Sequence, residues 1–120
     1  MFLRATYYHI LMDDDERRAQ IAIKILADRY ARYVLFPGEL FDEYAWNMLL
    51  HLFIARQKGE GMSESKLIAE VNVSTREGQR WLYQLAKDGQ IEPRTIRQDV
   101  LLTDSAIERL RNYLDATDIY

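Results

Sequence analysis

Two serines, Ser63 and Ser74, constrain this chain more than any other feature. Ser63 precedes Glu64-Ser65-Lys66-Leu67-Ile68-Ala69-Glu70-Val71, and Ser74 precedes Thr75-Arg76-Glu77. A serine hydroxyl at such a point accepts the free N–H groups of a helix's first turn. Ser74-Thr75-Arg76-Glu77 has the form of a capping box, with Ser74 bonding the N–H of Glu77 and Glu77 reaching back to the N–H of Ser74. One helix is therefore predicted over roughly Glu64–Glu70, with Leu67, Ile68 and Val71 inward. A second runs from Thr75 to about Lys87, with Gly78, Trp81, Leu82 and Leu85 inward, and Asp88-Gly89 closes it. Only a short turn, Asn72-Val73, separates the two.

The flanking segments extend this order. Residues 2–12 read as an extended or irregular arm. Asp13-Asp14-Asp15-Glu16 marks a helix start, where carboxylates meet free N–H groups and the positive end of the dipole. From Arg17 to Phe36, Ala19, Ala22, Ile23, Leu26, Tyr30, Tyr33 and Val34 recur at helical steps until Pro37-Gly38. Ile21 and Ile25 widen that apolar face. Asp42 is expected to cap a helix over about Glu43–Gln57, with Ala45, Trp46, Leu49, Leu50, Phe53 and Ile54 buried, and Gly59 and Gly61 break it. Met62 reads as a short extended segment. Ile91 to Ile96 and Val100 to Thr103 read as two short strands joined by a tight link, Arg97-Gln98-Asp99. Thr103 or Asp104 caps a last helix through Leu114, with Ala106, Ile107, Leu110 and Tyr113 on one face.

The predicted fold is mainly α with a small β hairpin: a winged helix-turn-helix preceded by a long N-terminal helix. The 120 residues fit a single domain, divided into an N-terminal arm and dimerisation helix (1–38), a winged core (39–103) and a C-terminal helix (104–120). In this order the second helix of the pair is the one positioned to enter a major groove.

Composition excludes several other chemistries. The chain has no cysteine, so disulfides, thiolate metal sites, iron–sulfur clusters and cysteine nucleophiles are out. Two histidines, His9 and His51, are too few for a histidine-rich metal site. No glycine-rich phosphate loop or nucleophile–base set is present, so no catalytic residue, metal or cofactor is assigned. No apolar run approaches the ~18 residues that span a bilayer, and the N-terminus lacks the pattern of a secretion signal. A cytoplasmic protein without a membrane partner is expected. Net charge is −3, but residues 56–97 carry eight Lys/Arg against six Asp/Glu. That segment is +2 and the remainder −5, a modest asymmetry.

Several of these residues carry a family likeness. Ala45-Trp46-Asn47-Met48-Leu49-Leu50-His51-Leu52 precedes Met62-Ser63-Glu64-Ser65-Lys66-Leu67. Arg80-Trp81-Leu82-Tyr83-Gln84-Leu85, Asp88-Gly89-Gln90-Ile91 and Leu101-Leu102-Thr103-Asp104 follow in that order. Over about residues 40–114 the chain resembles the winged-helix core of MarR-like transcription regulators, in a compact bacterial form. That resemblance implies a homodimer on near-palindromic double-stranded DNA, often answering to a small-molecule effector whose identity stays open. The hairpin link here is shorter than the family's wing and lacks its Asp-x-Arg pattern.

The outward face of the Thr75–Lys87 helix supplies the candidate DNA-reading residues: Thr75, Arg76, Gln79, Arg80 and Tyr83. Arginine matches guanine, glutamine matches adenine, and threonine can meet the thymine methyl. Arg76 and Gln79 are expected to read bases, and Arg80 and Tyr83 to contact the backbone or flanking bases. Ser63, Ser65 and Lys66 stand where a phosphate could approach a helix start, and Arg94 and Arg97 are phosphate candidates on the hairpin. Ile21, Ile25, Tyr30 and Tyr33 are the candidate dimer interface, because the N-terminal helix carries more apolar surface than one packing contact needs. Trp46, Trp81 and Phe53 are expected in the core, and His51 at a surface or interface. The alternative reading is a winged-helix module that binds another protein without specific DNA binding; the acidic net charge and short wing favour it, and Arg76, Gln79 and Arg80 on one face favour DNA.

Overall fold

A carboxylate opens the first helix, as the acidic run predicts. In the computed structural model, which describes residues 13–36, 43–95 and 97–117, the Asp13 side chain accepts the N–H of Glu16 at 2.8 Å and α1 spans Asp14–Leu35. Phe36 then turns extended, the conformation that a following proline imposes. α1 buries Ala19, Ala22, Leu26 and Arg29 and packs on α2 (Tyr44–Lys58) and α5 (Asp104–Thr117). The arm predicted for residues 2–12 and the cap predicted at Asp42 lie outside the described residues.

α2 is the hub of the fold. Asn47, Met48, Leu50, Leu52, Phe53, Ile54 and Ala55 are all buried, so the helix is enclosed on nearly every side instead of along one stripe. Trp46 departs from its predicted core position: it is 36% exposed and packs against Tyr113 of α5, with ring centroids 4.8 Å apart and the rings tilted by 36°. Trp81 is half-buried, and Phe53 is fully buried. Gly59 ends α2 in the left-handed conformation (φ 70°), where its N–H reaches back to Ala55 and Arg56.

α3 spans Glu64–Val71 and α4 spans Thr75–Lys87. Ser63 accepts the N–H of Lys66 and Ser74 that of Glu77, each at 3.1 Å. Asn72 makes the turn between them at φ 58°, a conformation asparagine tolerates better than most side chains. Gly78 is where the two helices meet. A Cβ there would lie 2.5 Å from Cγ1 of Ile68, 2.8 Å from its Cδ1 and 2.9 Å from its Cγ2. Buried Leu67, Ile68, Val71, Leu82 and Leu85 join α3 and α4 to the same core as α1, α2 and α5.

The expected β hairpin does not form. Among the described residues there are five helices and no strand, so the mainly-α-with-hairpin wing is corrected to an all-helical fold. Residues 90–92 and 101–103 lie against each other, but only one antiparallel bridge, Ile91 with Leu102, results among the described residues. The N–H of Glu92 reaches Leu101 O at 2.8 Å, and that of Thr103 reaches Gln90 O at 3.1 Å. The pairing stops there: the N–H of Val100 goes to Met62 O at 2.8 Å, and no further backbone bond joins the two segments among the described residues. Gln98 bonds Thr95 twice, its N–H donating to Thr95 O and its side-chain oxygen accepting the N–H of Thr95. Thr103 then starts α5 by accepting the N–H of Ala106 at 3.1 Å.

Candidate nucleic-acid interface

The tight Gly78–Ile68 contact fixes which face of α4 looks outward. With Gly78, Leu82 and Leu85 turned in, Thr75, Arg76, Gln79, Arg80 and Tyr83 are all exposed. None of the side chains of Arg76, Gln79, Arg80 and Tyr83 has a hydrogen bond or ion pair among the described residues. Glu77 does not pair with either arginine, and only half of the predicted capping box, Ser74 to the N–H of Glu77, is made. Tyr83 is 72% exposed, an aromatic ring held in solvent beside the two free guanidinium groups.

Two shallow depressions flank this face. One is lined by Arg76, Arg80, Trp81, Tyr83 and Gln84 along α4. The other lies between α3 and α4 and is lined by Ser63, Ser65, Thr75 and others. Gln79 borders both, which places it at the centre of the surface. Ser63 and Ser65 line the depression shared with Thr75 and Gln79 of α4, and Lys66 is exposed in the first turn of α3.

Arg94 and Arg97 differ from each other. Arg97 is exposed in the turn that replaces the hairpin link. Arg94 is folded inward: its side chain is 12% exposed and pairs with Glu64 at 3.4 Å, while its Nε is buried without a partner. Its charge is thus met by Glu64 within the fold.

The predicted dimer residues Ile21, Ile25 and Tyr30 pack against the chain's own core. Tyr33 belongs to a polar network that sequence reasoning missed. Arg29 donates to Asn47 Oδ1 at 2.6 Å, Asn47 donates to the Tyr33 hydroxyl at 3.2 Å, and Tyr33 donates to Glu43 at 2.7 Å. Arg32 also reaches Glu43, at 3.0 Å. Burial opposes ionisation of Glu43, but the Tyr33 hydrogen bond and the two arginines outweigh it and hold its carboxyl below the usual range. Arg29 was legible as a buried position, since it continues the Ala19, Ala22, Leu26 spacing; its charge argued against reading it so.

His51 sits at a junction of three helices. Its Nε2 lies 2.8 Å from the Tyr30 hydroxyl, which also donates to the backbone oxygen of Glu70 at 3.2 Å. Burial lowers the His51 pKa and raises that of Tyr30 to about 12. A second cluster fastens the other end of α1. Asp15 accepts from Arg111 and Arg18, and Asp115 accepts from Arg17 and Arg18. The Arg111 hydrogen bond does most to hold the Asp15 carboxyl at about 2, against the opposing effect of burial.

Among the described residues, no group of three or more His, Asp or Glu side chains is arranged to hold a metal ion. No helix among them is long and apolar enough to cross a membrane. No family model, curated protein or solved structure matches this chain.

Proposed function

We propose that this protein is a sequence-specific double-stranded DNA-binding transcription regulator, cytoplasmic and acting as a homodimer, with the outer face of α4 in the major groove. The observation that carries the reading is that face itself: Arg76, Gln79, Arg80 and Tyr83 stand in solvent on one rigid helix with no intramolecular partners among the described residues. Side chains of these types match base edges and phosphates, and a helix held by its own core presents them in a fixed register. Arg76 and Gln79, on the first half of α4, read bases. Arg80 and Tyr83 lie further along and contact the backbone or flanking bases. Ser63, Ser65 and Lys66 add phosphate contacts from the start of α3. The helix-turn-helix resembles that of MarR-like regulators without their wing, so Arg97 would contribute from a turn and not from a strand pair.

The test is capture of fragmented genomic DNA by the purified protein at near-physiological salt, followed by sequencing. Enrichment of two half-sites with centres about 10 bp apart is expected. Binding that vanishes uniformly with salt, with no enriched sequence, overturns the reading.

A second reading, a protein-interaction module without specific DNA binding, is favoured by one observation. Val34, Leu35 and Phe36 form an exposed apolar run at the end of α1.

A further inference from the structure

The free face of α4 does not end at Tyr83. Arg76, Arg80, Tyr83 and Lys87 follow at steps of four, three and four residues, which keeps them in one line along the helix. The line runs opposite Gly78 and Leu85, which are buried against the core. All four side chains are exposed, and none has a hydrogen bond or ion pair among the described residues. The nearest acids in sequence are turned elsewhere. Glu77 lies about a quarter turn off the line, and Asp88 accepts from the side chain of Gln84 at 3.1 Å. Three cations and one aromatic ring are therefore left facing solvent along the crest of a single helix.

Lys87 closes the line in the last turn of α4. A lysine there also meets the negative end of the helix dipole, but any position in that turn would serve the dipole equally well. Its place on the crest is the feature that bears on DNA. Arg76 and Lys87 are eleven residues apart, which puts them about 16 Å apart along the axis at the usual rise. The major groove is about 12 Å wide and winds round the duplex, whereas a helix of this length is nearly straight. With Arg76 and Gln79 on the bases, the last turn of α4 has left the groove floor and comes to a phosphate wall. Lysine suits that place: its ammonium is a compact charge on a flexible stem, able to meet a phosphate without the fixed fork that reads a base edge.

We propose that Lys87 is a phosphate contact, so that α4 lies with its first turn on the bases and its last turn on the sugar-phosphate backbone of double-stranded DNA. This rests on the DNA reading above and adds to it the direction in which α4 lies.

The test is a titration of Lys87→Gln, in the full chain, against selected and scrambled DNA over a range of salt. Lys24→Gln, at an exposed position of α1, is the control. Lys87→Gln is expected to lower the slope of log affinity against log salt by about one unit for each half-site occupied, on both DNAs alike. Lys87→Arg is expected to restore the wild-type slope, and Lys24→Gln to leave it unchanged. A lysine that served only the helix dipole would not move the slope. If the selected DNA is still bound and Lys87→Gln leaves the slope as it was, the role of Lys87 is overturned and the DNA reading stands. An equal change from Lys24→Gln has the same meaning, because it marks a general charge effect. A loss of preference at one base pair also overturns the role, since it puts Lys87 on a base edge. A wild-type chain that enriches no sequence overturns the DNA reading, and the assignment of Lys87 falls with it.

Discussion

Replacing Gly78 by alanine tests whether α3 and α4 are locked at the distance the structure gives them. Alanine is the better helix former, and at an interior helix position the exchange would ordinarily stabilise by about 1 kcal/mol. Here the added methyl meets three atoms of Ile68 at 2.5–2.9 Å. Carbon atoms at rest sit about 3.5–4.0 Å apart, so something must give by about 1 Å. Ile68 cannot swing clear, because Cγ1 and Cγ2 both hang from its Cβ and a rotation that frees one drives in the other. Overpacking of this kind costs about 1–3 kcal/mol, and three simultaneous contacts put it at the upper end. The balance is a loss of about 1–2 kcal/mol, or a fall in Tm of roughly 4–8 °C. Denaturant titration followed by circular dichroism reads it directly. Ile68→Ala alone costs about 2–4 kcal/mol, since Ile68 is 5% exposed. The double variant should cost less than the sum of the two by about 1–2 kcal/mol, because the new methyl occupies space that Ile68 vacates. A Gly78→Ala protein as stable as wild type, or strictly additive singles, would refute the reasoning.

Three further outcomes are expected. Arg76→Ala should relax sequence preference at one position of the selected site, at a cost of about 1–3 kcal/mol, whereas Arg80→Ala should weaken binding to all sequences alike and lower the salt slope by about one unit; salt-dependent binding measurements on selected and scrambled DNA separate the two. Asn47 is fully buried and accepts from Arg29, which is 8% exposed, so Asn47→Leu should cost about 3 kcal/mol in denaturant titration, and Arg29→Met in the same chain should recover much of it. The Asp15 carboxyl, brought from 3.8 to about 2 by Arg111 and Arg18, contributes stability that is fully present above pH 3.8 and is lost as pH falls through 2. After allowance for solvent that is about 1 kcal/mol, so Asp15→Asn should lower the denaturation midpoint at about pH 6 and lower it much less at about pH 2.

Helix ends were the most legible part of the fold. Asp13, Ser63, Ser74 and Thr103 each cap the helix that their position in the sequence predicts, since capping is a local hydrogen bond and needs no distant partner. The hairpin is hard to tell from sequence because Ile91 and Leu102 do pair and the alternation beyond them looks strand-like, while the N–H of Val100 is taken by Met62, far away in the chain. Periodicity picks a single stripe on α2; it passes over Asn47, Met48, Leu52 and Ala55, all buried, and places the 36%-exposed Trp46 in the core. Both errors depend on which helices lie alongside, and that is decided by the whole chain. At the candidate interface the outward residues of α4 follow directly from its inward ones. The inward fold of Arg94 onto Glu64 depends on the path of residues 91–95 past α3, which no local pattern encodes.

The two tryptophans of the chain stand in optically separable places. Trp46 is in contact with Tyr113 across α2 and α5, and Trp81 lies half-buried on α4 beside Arg76, Arg80 and Tyr83. Each therefore reports a different event without any label being added. In a Trp46→Phe protein the remaining emission follows whatever approaches α4. In a Trp81→Phe protein it follows the release of α5 from the bundle, so unfolding and ligand arrival can be timed independently in the same chain.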